Sequence, residues 1–327
     1  MTGSSWSVKR VRRKAAAAAA RSSLWLASGI MEGLGRGLRL LPPGSRYLPA
    51  DGLAAGLTPL LRKQRRQAEA NYAIMLDLPS DHPRVRGLAR QSLRNYARMA
   101  TDFLRVRTMT RDQVLAWGRP MGEDYFAAAL AEGRGVIFAL AHCGSWDVAA
   151  AYALAYGVKL TVVTEDNWMS RLVASSRQGF GVTLAPRQRA LRLTFKALAR
   201  NEVVAIIADL VEKGFQTVTV PFFGKPAPFP VGPARLAHRT GAAVMVCSGF
   251  RMADGSYRIE GQTPLHIDRS LPEAQAVATM TAQIAARFEA LIGAHPEQWY
   301  PYRPVWPGVE VPASRDLRAA LEASPPT

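Results

Sequence analysis

Short runs of apolar residues alternate with helix-like segments along the second half of the chain. The apolar runs are GVIFALA, KLTVVT, VVAIIA and AVMVCS, at 135–141, 159–164, 203–208 and 243–248. Apolar residues at helical spacing fill the segments between them, at 148–156, 189–199 and 233–239. Continuously apolar strands that alternate with helices are typical of a buried, largely parallel sheet. The pattern therefore predicts an α/β fold with a mainly parallel central sheet flanked by helices.

The remainder of the chain has a more helical pattern. Helices are predicted over 60–107 and 273–292, and a further strand over 257–260. The sequence has no internal repeat and no obvious linker, so a single domain is predicted over 60–311. A basic helical segment, 1–59, precedes that domain, and a loose polar tail with prolines follows it at 312–327.

Positive charge is concentrated near the start of the chain. The 327 residues include 42 Lys and Arg against 25 Asp and Glu, which gives a formal net charge of +17. Residues 1–66 hold thirteen of these basic residues and two acids, Glu32 and Asp51. A segment this basic favours an anionic surface, either nucleic acid or phospholipid headgroups.

Two features favour lipid over nucleic acid. Large apolar residues recur at roughly helical spacing between Leu24 and Leu41, with Arg36 and Arg39 between them, as in amphipathic helices that lie in a membrane interface. The sequence also has no zinc-finger spacing and no aromatic RNP-like strand. We therefore expect 1–59 to associate with an anionic membrane surface, and we expect no nucleic-acid partner. The alternative is that this helix packs its apolar stripe on the domain itself.

The N-terminal region has no pattern of a membrane-spanning helix. Its longest uncharged part, 22–31, is well short of the roughly 20 apolar residues that cross a bilayer. The two cysteines, Cys143 and Cys247, lie in apolar stretches, which excludes a disulfide scaffold and favours a reducing compartment. These features predict a peripheral protein on the cytoplasmic face of the cell membrane. The histidines lack metal-ligand spacing and no Gly-rich phosphate loop occurs, so no metal or cofactor is predicted.

The first apolar run ends in Ala-His-Cys-Gly-Ser-Trp-Asp, which places His142 just beyond a strand. In open α/β sheets, sites form beyond the carboxyl ends of the strands. A histidine there can act as a general base when a carboxylate fixes its tautomer. Asp147 can supply that carboxylate only if His142 lies in a loop and Asp147 in the first helical turn, a turn that Gly144 permits. On spacing alone, a hydrogen-bonded structural histidine is the favoured interpretation, and the position of His142 between a strand and a helix makes the two interpretations equally good.

This seven-residue motif resembles the first motif of the glycerolipid-type and lipid A-type acyltransferases, a His-x4-Asp/Glu superfamily. Three later segments, at 164–181, 207–226 and 232–242, are similar to further blocks of its bacterial branch and come in the same order. The resemblance covers 60–305 and is strongest to phosphatidylinositol mannoside acyltransferases, followed by lipid A lauroyl/myristoyl acyltransferases. It implies an enzyme that moves a fatty acyl chain from acyl-CoA or acyl-carrier protein to a hydroxyl of a glycolipid.

The resemblance also implies roles for individual residues. His142 would deprotonate the acceptor hydroxyl, Asp147 would orient and polarise His142, and no acyl-enzyme would form. Arg177 would hold a phosphate of the donor or the acceptor, with Glu165 and Lys225 in the same substrate-binding set. The fatty chain would need an apolar groove, for which the candidates are Phe222, Phe223 and Phe229. The alternative for Arg177 is an ordinary exposed arginine, and for the phenylalanines it is ordinary loop packing.

Departures from the family pattern leave the acceptor open. Thr219 stands where the mannoside acyltransferases have an acidic residue before Phe-Phe-Gly, and the Val-Pro-Phe-Phe-Gly form favours the lipid A branch. Asp147 in turn stands where that branch has Glu. The alternatives are a lipid A-type lauroyl/myristoyl acyltransferase, a non-catalytic lipid-binding homologue, or a hydrolase with Ser145 or Cys143 as nucleophile. Asp209 is interpreted as a turn residue rather than as a second acid of the site.

Overall fold

A seven-stranded sheet lies at the centre of the part of the chain that the structure describes. The computed structural model describes residues 29–42, 44–57, 60–164, 181–212 and 214–309. In chain order the strands are β1 Gly118–Met121, β2 Val136–Leu140, β3 Leu160–Thr164, β4 Thr183–Pro186, β5 Val203–Ile207, β6 Thr217–Phe222, β7 Lys225–Pro230, β8 Ala243–Arg251 and β9 Tyr257–Gly261. The sheet has the order β1-β9-β8-β2-β5-β3-β4, in which only the β8–β9 pair is antiparallel, while β6 and β7 form a separate hairpin. The prediction of an α/β fold with a mainly parallel sheet is confirmed.

Helices precede the sheet and cover both of its faces. In chain order they are α1 over 29–40, α2 Leu48–Leu57, α3 Arg62–Leu76, α4 Pro83–Val106, α5 Arg111–Trp117, α6 Glu123–Ala131, α7 Trp146–Ala155, α8 Arg187–Leu198, α9 Gly232–Thr240 and α10 Glu273–Ala294. Local signals explain several of the helix starts. Pro83 occupies the first turn of α4, and Thr110 forms a capping box with Gln113 at the start of α5.

The alternation of side chains along β2 separates the two faces of the sheet. Ile137 and Ala139 belong to the closed core on the α9 and α10 side. Phe138 and Leu140 point to the opposite face, beneath α6 and α7, and both keep partial exposure although β2 is a central strand. Open space therefore lies between this face of the sheet and the two helices.

The described part of the N-terminal segment packs on α4. An added Cβ at Gly35 of α1 would lie 2.1 Å from the backbone oxygen of Leu104, so α1 approaches α4 more closely than a side chain would allow. Tyr47, just before α2, donates to both oxygens of Asp102, at 2.9 and 3.0 Å. Asp102 is fully buried and also accepts from Tyr257 at 2.7 Å. These contacts attach the described parts of this segment, 29–42 and 44–57, to the domain through Gly35 and polar side chains, and not through the apolar stripe that the alternative invoked.

The same two helices also expose large apolar side chains. These are Ile30, Leu34, Leu40, Leu48, Leu53 and Leu57. Packing on the domain therefore leaves an apolar surface on this segment, and membrane association of 1–59 stays a prediction. None of the helices in the described ranges is long and apolar enough to cross a membrane. The tail predicted at 312–327 lies outside the described residues.

Candidate active site

The loop between β2 and α7 holds His142 in a fixed position. Gly144 in this loop has φ +63°, and an added Cβ there would lie 2.3 Å from the backbone oxygen of Gly249, so only glycine fits. The backbone oxygen of His142 accepts from the Tyr300 amide at 2.8 Å. The Ser145 side chain then caps α7 by accepting from the Val148 amide at 3.3 Å. The helix cap and the backbone bonds together hold the loop on both sides.

His142 forms a close pair with Asp209, which follows β5. The ring nitrogen Nδ1 of His142 lies 2.7 Å from Asp209 Oδ1, and the His142 amide donates to Asp209 Oδ2 at 2.9 Å. Asp209 Oδ2 also accepts from the indole of Trp299 at 3.4 Å. The Asp209 side chain is fully buried, whereas the His142 side chain keeps 29 % of its exposure. Because a carboxylate only accepts hydrogen bonds, this pairing places the ring proton on Nδ1.

The interpretation of Asp209 as a turn residue is therefore wrong. It provides the carboxylate at Nδ1 of His142, a role predicted for Asp147. Asp147 lies in the first turn of α7, as its predicted geometry required, and it lines the same cavity as His142. The signal for Asp209 was its position directly after the buried run at 203–208, which places it at the carboxyl edge of the sheet. The adjacency of β5 and β2 could not be obtained from that signal.

The two candidate nucleophiles of a hydrolase, Cys143 and Ser145, are poorly placed for attack. Cys143 is 1 % exposed, its Sγ lies 3.5 Å from Ser248 Oγ, and burial raises the pKa of its thiol to about 12. A thiol is a weak nucleophile until it is deprotonated. Ser145 is equally buried and serves as the helix cap. These contacts argue against a hydrolase that uses either residue.

A cavity of about 1440 Å³ opens beside His142. His142 and Asp147 form part of its wall, and most of its other lining residues are apolar. From the sheet it is lined by Phe138, Leu140, Leu160, Val162, Ala205, Ile207, Met245 and Cys247. From the helices it is lined by Phe103, Leu104, Phe126, Ala150, Ala153, Leu191 and Phe195. The space inferred beneath α6 and α7 is thus continuous with the histidine.

The model of a family described as bacterial lipid A biosynthesis acyltransferase matches residues 15–306. This match covers most of the chain, including every strand in the described ranges and the residues that line the cavity. The chain belongs to the bacterial lipid A biosynthesis acyltransferase family.

Two curated relatives agree with this family. The chain is 31 % identical over 240 residues to the phosphatidylinositol mannoside acyltransferase of Mycobacterium tuberculosis (strain CDC 1551 / Oshkosh), covering 66 % of this chain and 69 % of that protein. It is 30 % identical over 240 residues to the protein of that name from Mycolicibacterium smegmatis (strain ATCC 700084 / mc(2)155), covering 70 % and 74 %. The predicted family is confirmed, and this family member is an acyltransferase of lipid biosynthesis.

The remaining predicted site residues lie away from the cavity or outside the described chain. Phe222 and Phe229 are buried in the core on the opposite face of the sheet, and the ring of Phe223 packs 4.7 Å from that of Phe222. Phe222 and Phe229 lie on the strands β6 and β7 and not in a loop, and the residues that line the apolar cavity are others. Lys225 lies on β7 with its Nζ 3.9 Å from Asp77. Glu165 and Arg177 lie outside the described residues.

Proposed function

We propose that this acyltransferase moves a fatty acyl chain from an acyl thioester, acyl-CoA, to a hydroxyl of a glycolipid at the cytoplasmic face of the cell membrane. The observation that carries the proposal is the His142–Asp209 pair at the wall of a large apolar cavity. A phosphatidylinositol mannoside is the proposed acceptor, because two relatives are named for that substrate.

In this proposal His142 acts as a general base. Its Nε2 takes the proton of the acceptor hydroxyl while the hydroxyl oxygen attacks the thioester carbonyl. The tetrahedral intermediate then collapses, the carbon–sulfur bond breaks, and the departing thiolate takes the proton back from the imidazolium. Asp209 holds the ring through Nδ1 and stabilises its positive charge, as carboxylates do in other histidine bases. The products are the ester and free thiol, and no acyl-enzyme forms.

Asp147 and the residues after β3 complete the proposed site. Asp147 adds negative charge to the cavity wall beside His142 and remains a candidate catalytic residue. β3 ends at Thr164, which also lines the cavity, and Glu165 and Arg177 follow it in the sequence. Arg177 is proposed to hold a phosphate of the donor or acceptor, because a guanidinium matches phosphate oxygens in a bidentate manner.

The fatty chain is proposed to enter the cavity beneath α6 and α7. Strand register places Phe138 beside Ala205 and Met245. The layer below contains the fully buried Val136 and Val203 together with Leu160, which still lines the cavity. At about 3.3 Å per strand residue, these two layers lie roughly 13 and 20 Å from His142. An extended chain advances about 1.25 Å per carbon, given a carbon–carbon bond of about 1.5 Å. A chain of roughly 10 carbons therefore reaches the layer of Ala205, and one of roughly 16 carbons reaches the layer of Leu160.

We expect the Ala205→Phe substitution to shorten the preferred acyl chain. A ring at this position would fill the layer that holds Phe138 and Val162, and a chain would stop about 13 Å from His142. We expect kcat/KM with a palmitoyl thioester to fall about tenfold or more, while transfer of a decanoyl chain is retained. The matched control is Ala128→Phe on the exposed side of α6. Equal losses with both chain lengths would show that the acyl chain lies elsewhere.

Docking on anionic lipid is proposed to involve the segment 1–28. It carries six Lys and Arg residues and no acid, and each basic residue near an anionic surface contributes about 1 kcal/mol. We expect deletion of 1–28 to weaken binding to phosphatidylglycerol vesicles at low salt by on the order of 10,000-fold, the product of six factors of about five. Deletion of 1–8 removes no Lys or Arg and serves as the control. Unchanged affinity after the longer deletion would contradict docking by this segment.

A lipid A-type acceptor is the second candidate. The family description supports it, because that family is named for lipid A biosynthesis, and so does the Val-Pro-Phe-Phe-Gly sequence that ends β6. Acyl transfer to purified phosphatidylinositol mannoside and to a lipid A precursor, measured side by side with one donor, distinguishes the two. Transfer to the lipid A precursor alone would replace the proposed acceptor.

A further inference from the structure

Helix α8 lies along one opening of the cavity and exposes apolar side chains there. Arg187 and Leu191 are four residues apart on α8, so they share one face, and both line the cavity. Phe215, in the segment between β5 and β6, packs its ring 4.6 Å from the Arg187 guanidinium carbon. Leu191 is 63 % exposed and Phe215 is 38 % exposed. Two large apolar side chains thus form part of the rim of this opening.

The outward side of α8 is basic. Its exposed cationic side chains include Arg189, Arg192 and Lys196, and the helix contains no acidic residue. Arg192 lies about 100° around the helix from Leu191, so the basic side adjoins the apolar rim. Arg235 and Arg239 of α9 line the same cavity and extend the positive charge beyond α8. The rim of this opening is therefore apolar along its edge and cationic outside it.

This arrangement matches the chemistry of an anionic lipid surface. Helices that lie in a lipid interface place basic side chains at the headgroups and leucine or aromatic side chains at the acyl boundary. An acidic carrier protein would also meet the arginines. It would not account for Leu191 and Phe215, whose apolar surfaces are exposed beside those charges. The combination of charge and exposed apolar side chains favours lipid.

We propose that α8 is a second membrane-docking element, which rests on anionic lipid so that this opening of the cavity faces the bilayer. The inference builds on the proposed membrane-surface action and assigns part of it to residues outside 1–59. Leu191 and Phe215 enter the interface, while Arg187 and Arg192, about 40° and 100° to either side of Leu191, contact the phosphates of the headgroups. A lipid substrate then reaches the cavity without passing through water.

The test is vesicle binding by the full-length chain without substrates. Arg187→Gln with Arg192→Gln should weaken binding to mixed phosphatidylglycerol and phosphatidylcholine vesicles about thirtyfold, since each basic residue contributes a factor of about five. The matched control is Arg86→Gln with Arg90→Gln, two exposed arginines on α4. Arg90 lies about 20 Å along α4 from Phe103, which lines the cavity. This control should change vesicle affinity less than threefold.

A fluorophore at position 191 tests the location of the contact. Leu191→Cys carrying an environment-sensitive label should shift its emission to the blue on phosphatidylglycerol vesicles, whereas the same label on Arg90→Cys should not. Unchanged vesicle affinity of the double glutamine variant would overturn the proposal. The proposal would also be overturned if the double glutamine variant lost only turnover with an acyl-carrier-protein donor, because α8 would then bind that protein and not lipid. If α8-dependent vesicle binding is found but the wild type transfers no acyl chain in detergent micelles, the docking proposal stands and the proposed function fails.

Discussion

Replacement of His142 by alanine is expected to lower the rate of acyl transfer about 100- to 10,000-fold. A positioned general base contributes a factor of this size, because the hydroxyl must lose its proton as it attacks the thioester. Nothing else in the wall of the cavity combines a ring nitrogen with a buried carboxylate among the described residues. The effect should fall mainly on kcat, since the acyl cavity and the acceptor contacts remain.

A second histidine offers a matched control for this substitution. His266 also pairs with a carboxylate, with Nε2 2.7 Å from Glu132 Oε1, but the pair is exposed and outside the cavity. His266→Ala should leave the transfer rate within about twofold, since surface substitutions away from special features have small effects. Similar rates for the wild type and His142→Ala would remove His142 as the base.

Asp209→Asn is expected to reduce the transfer rate nearly as much, by about 100- to 10,000-fold. The two carboxylate oxygens of Asp209 accept one bond from the Nδ1–H of His142 and one from its backbone N–H. An asparagine side chain has one oxygen that accepts and one nitrogen that donates, so it cannot accept both bonds. The histidine then adopts the wrong tautomer, and its cationic form loses the charge that stabilises it. Steady-state rates across a pH series, with the donor saturating, measure this effect.

The loss must be separated from a loss of folding, because Asp209 is fully buried. Asp102→Asn provides the comparison, since Asp102 is also fully buried and accepts from two tyrosines and Arg105, away from the cavity wall. Burial raises the pKa of the Asp102 carboxyl, and the neighbouring arginine and tyrosines oppose that rise. Both variants should have lowered melting temperatures, but only Asp209→Asn should lower the rate of the folded enzyme. Comparable rate losses in both would reduce Asp209 to a structural role.

The central strands could be predicted from the sequence, and the strands with prolines could not. β2, β5 and β8 are continuous apolar runs because both faces of a central parallel strand are covered. β6 and β7 contain four prolines, at 221, 226, 228 and 230, and proline within a run argues against a strand. They pair only with each other in the described structure, so the missing amide donors are tolerated there.

Of the candidate site, the position of His142 could be predicted from the sequence, and its pairing with Asp209 could not. The position of His142 follows from a local pattern, a buried strand that ends in a short loop before a helix. Its contact with Asp209 joins residues 67 positions apart and depends on β5 lying next to β2, an order that the apolar runs do not encode. The same limit applies to Phe222, whose apolar character is equally suited to a groove or to the core. In the folded chain the ring of Phe222 packs in the core beside the ring of Trp306, with 5.5 Å between the ring centroids.

The most direct test of the proposed reaction uses a palmitoyl thioester of coenzyme A with a labelled acyl chain and phosphatidylinositol mannoside as acceptor, and compares the wild type with His142→Ala. We expect the wild type to move the label into the glycolipid as an alkali-labile ester, and we expect His142→Ala to form almost none. Label released as free palmitate would indicate a hydrolase. Equal labelling of the glycolipid by both proteins would contradict general-base catalysis by His142.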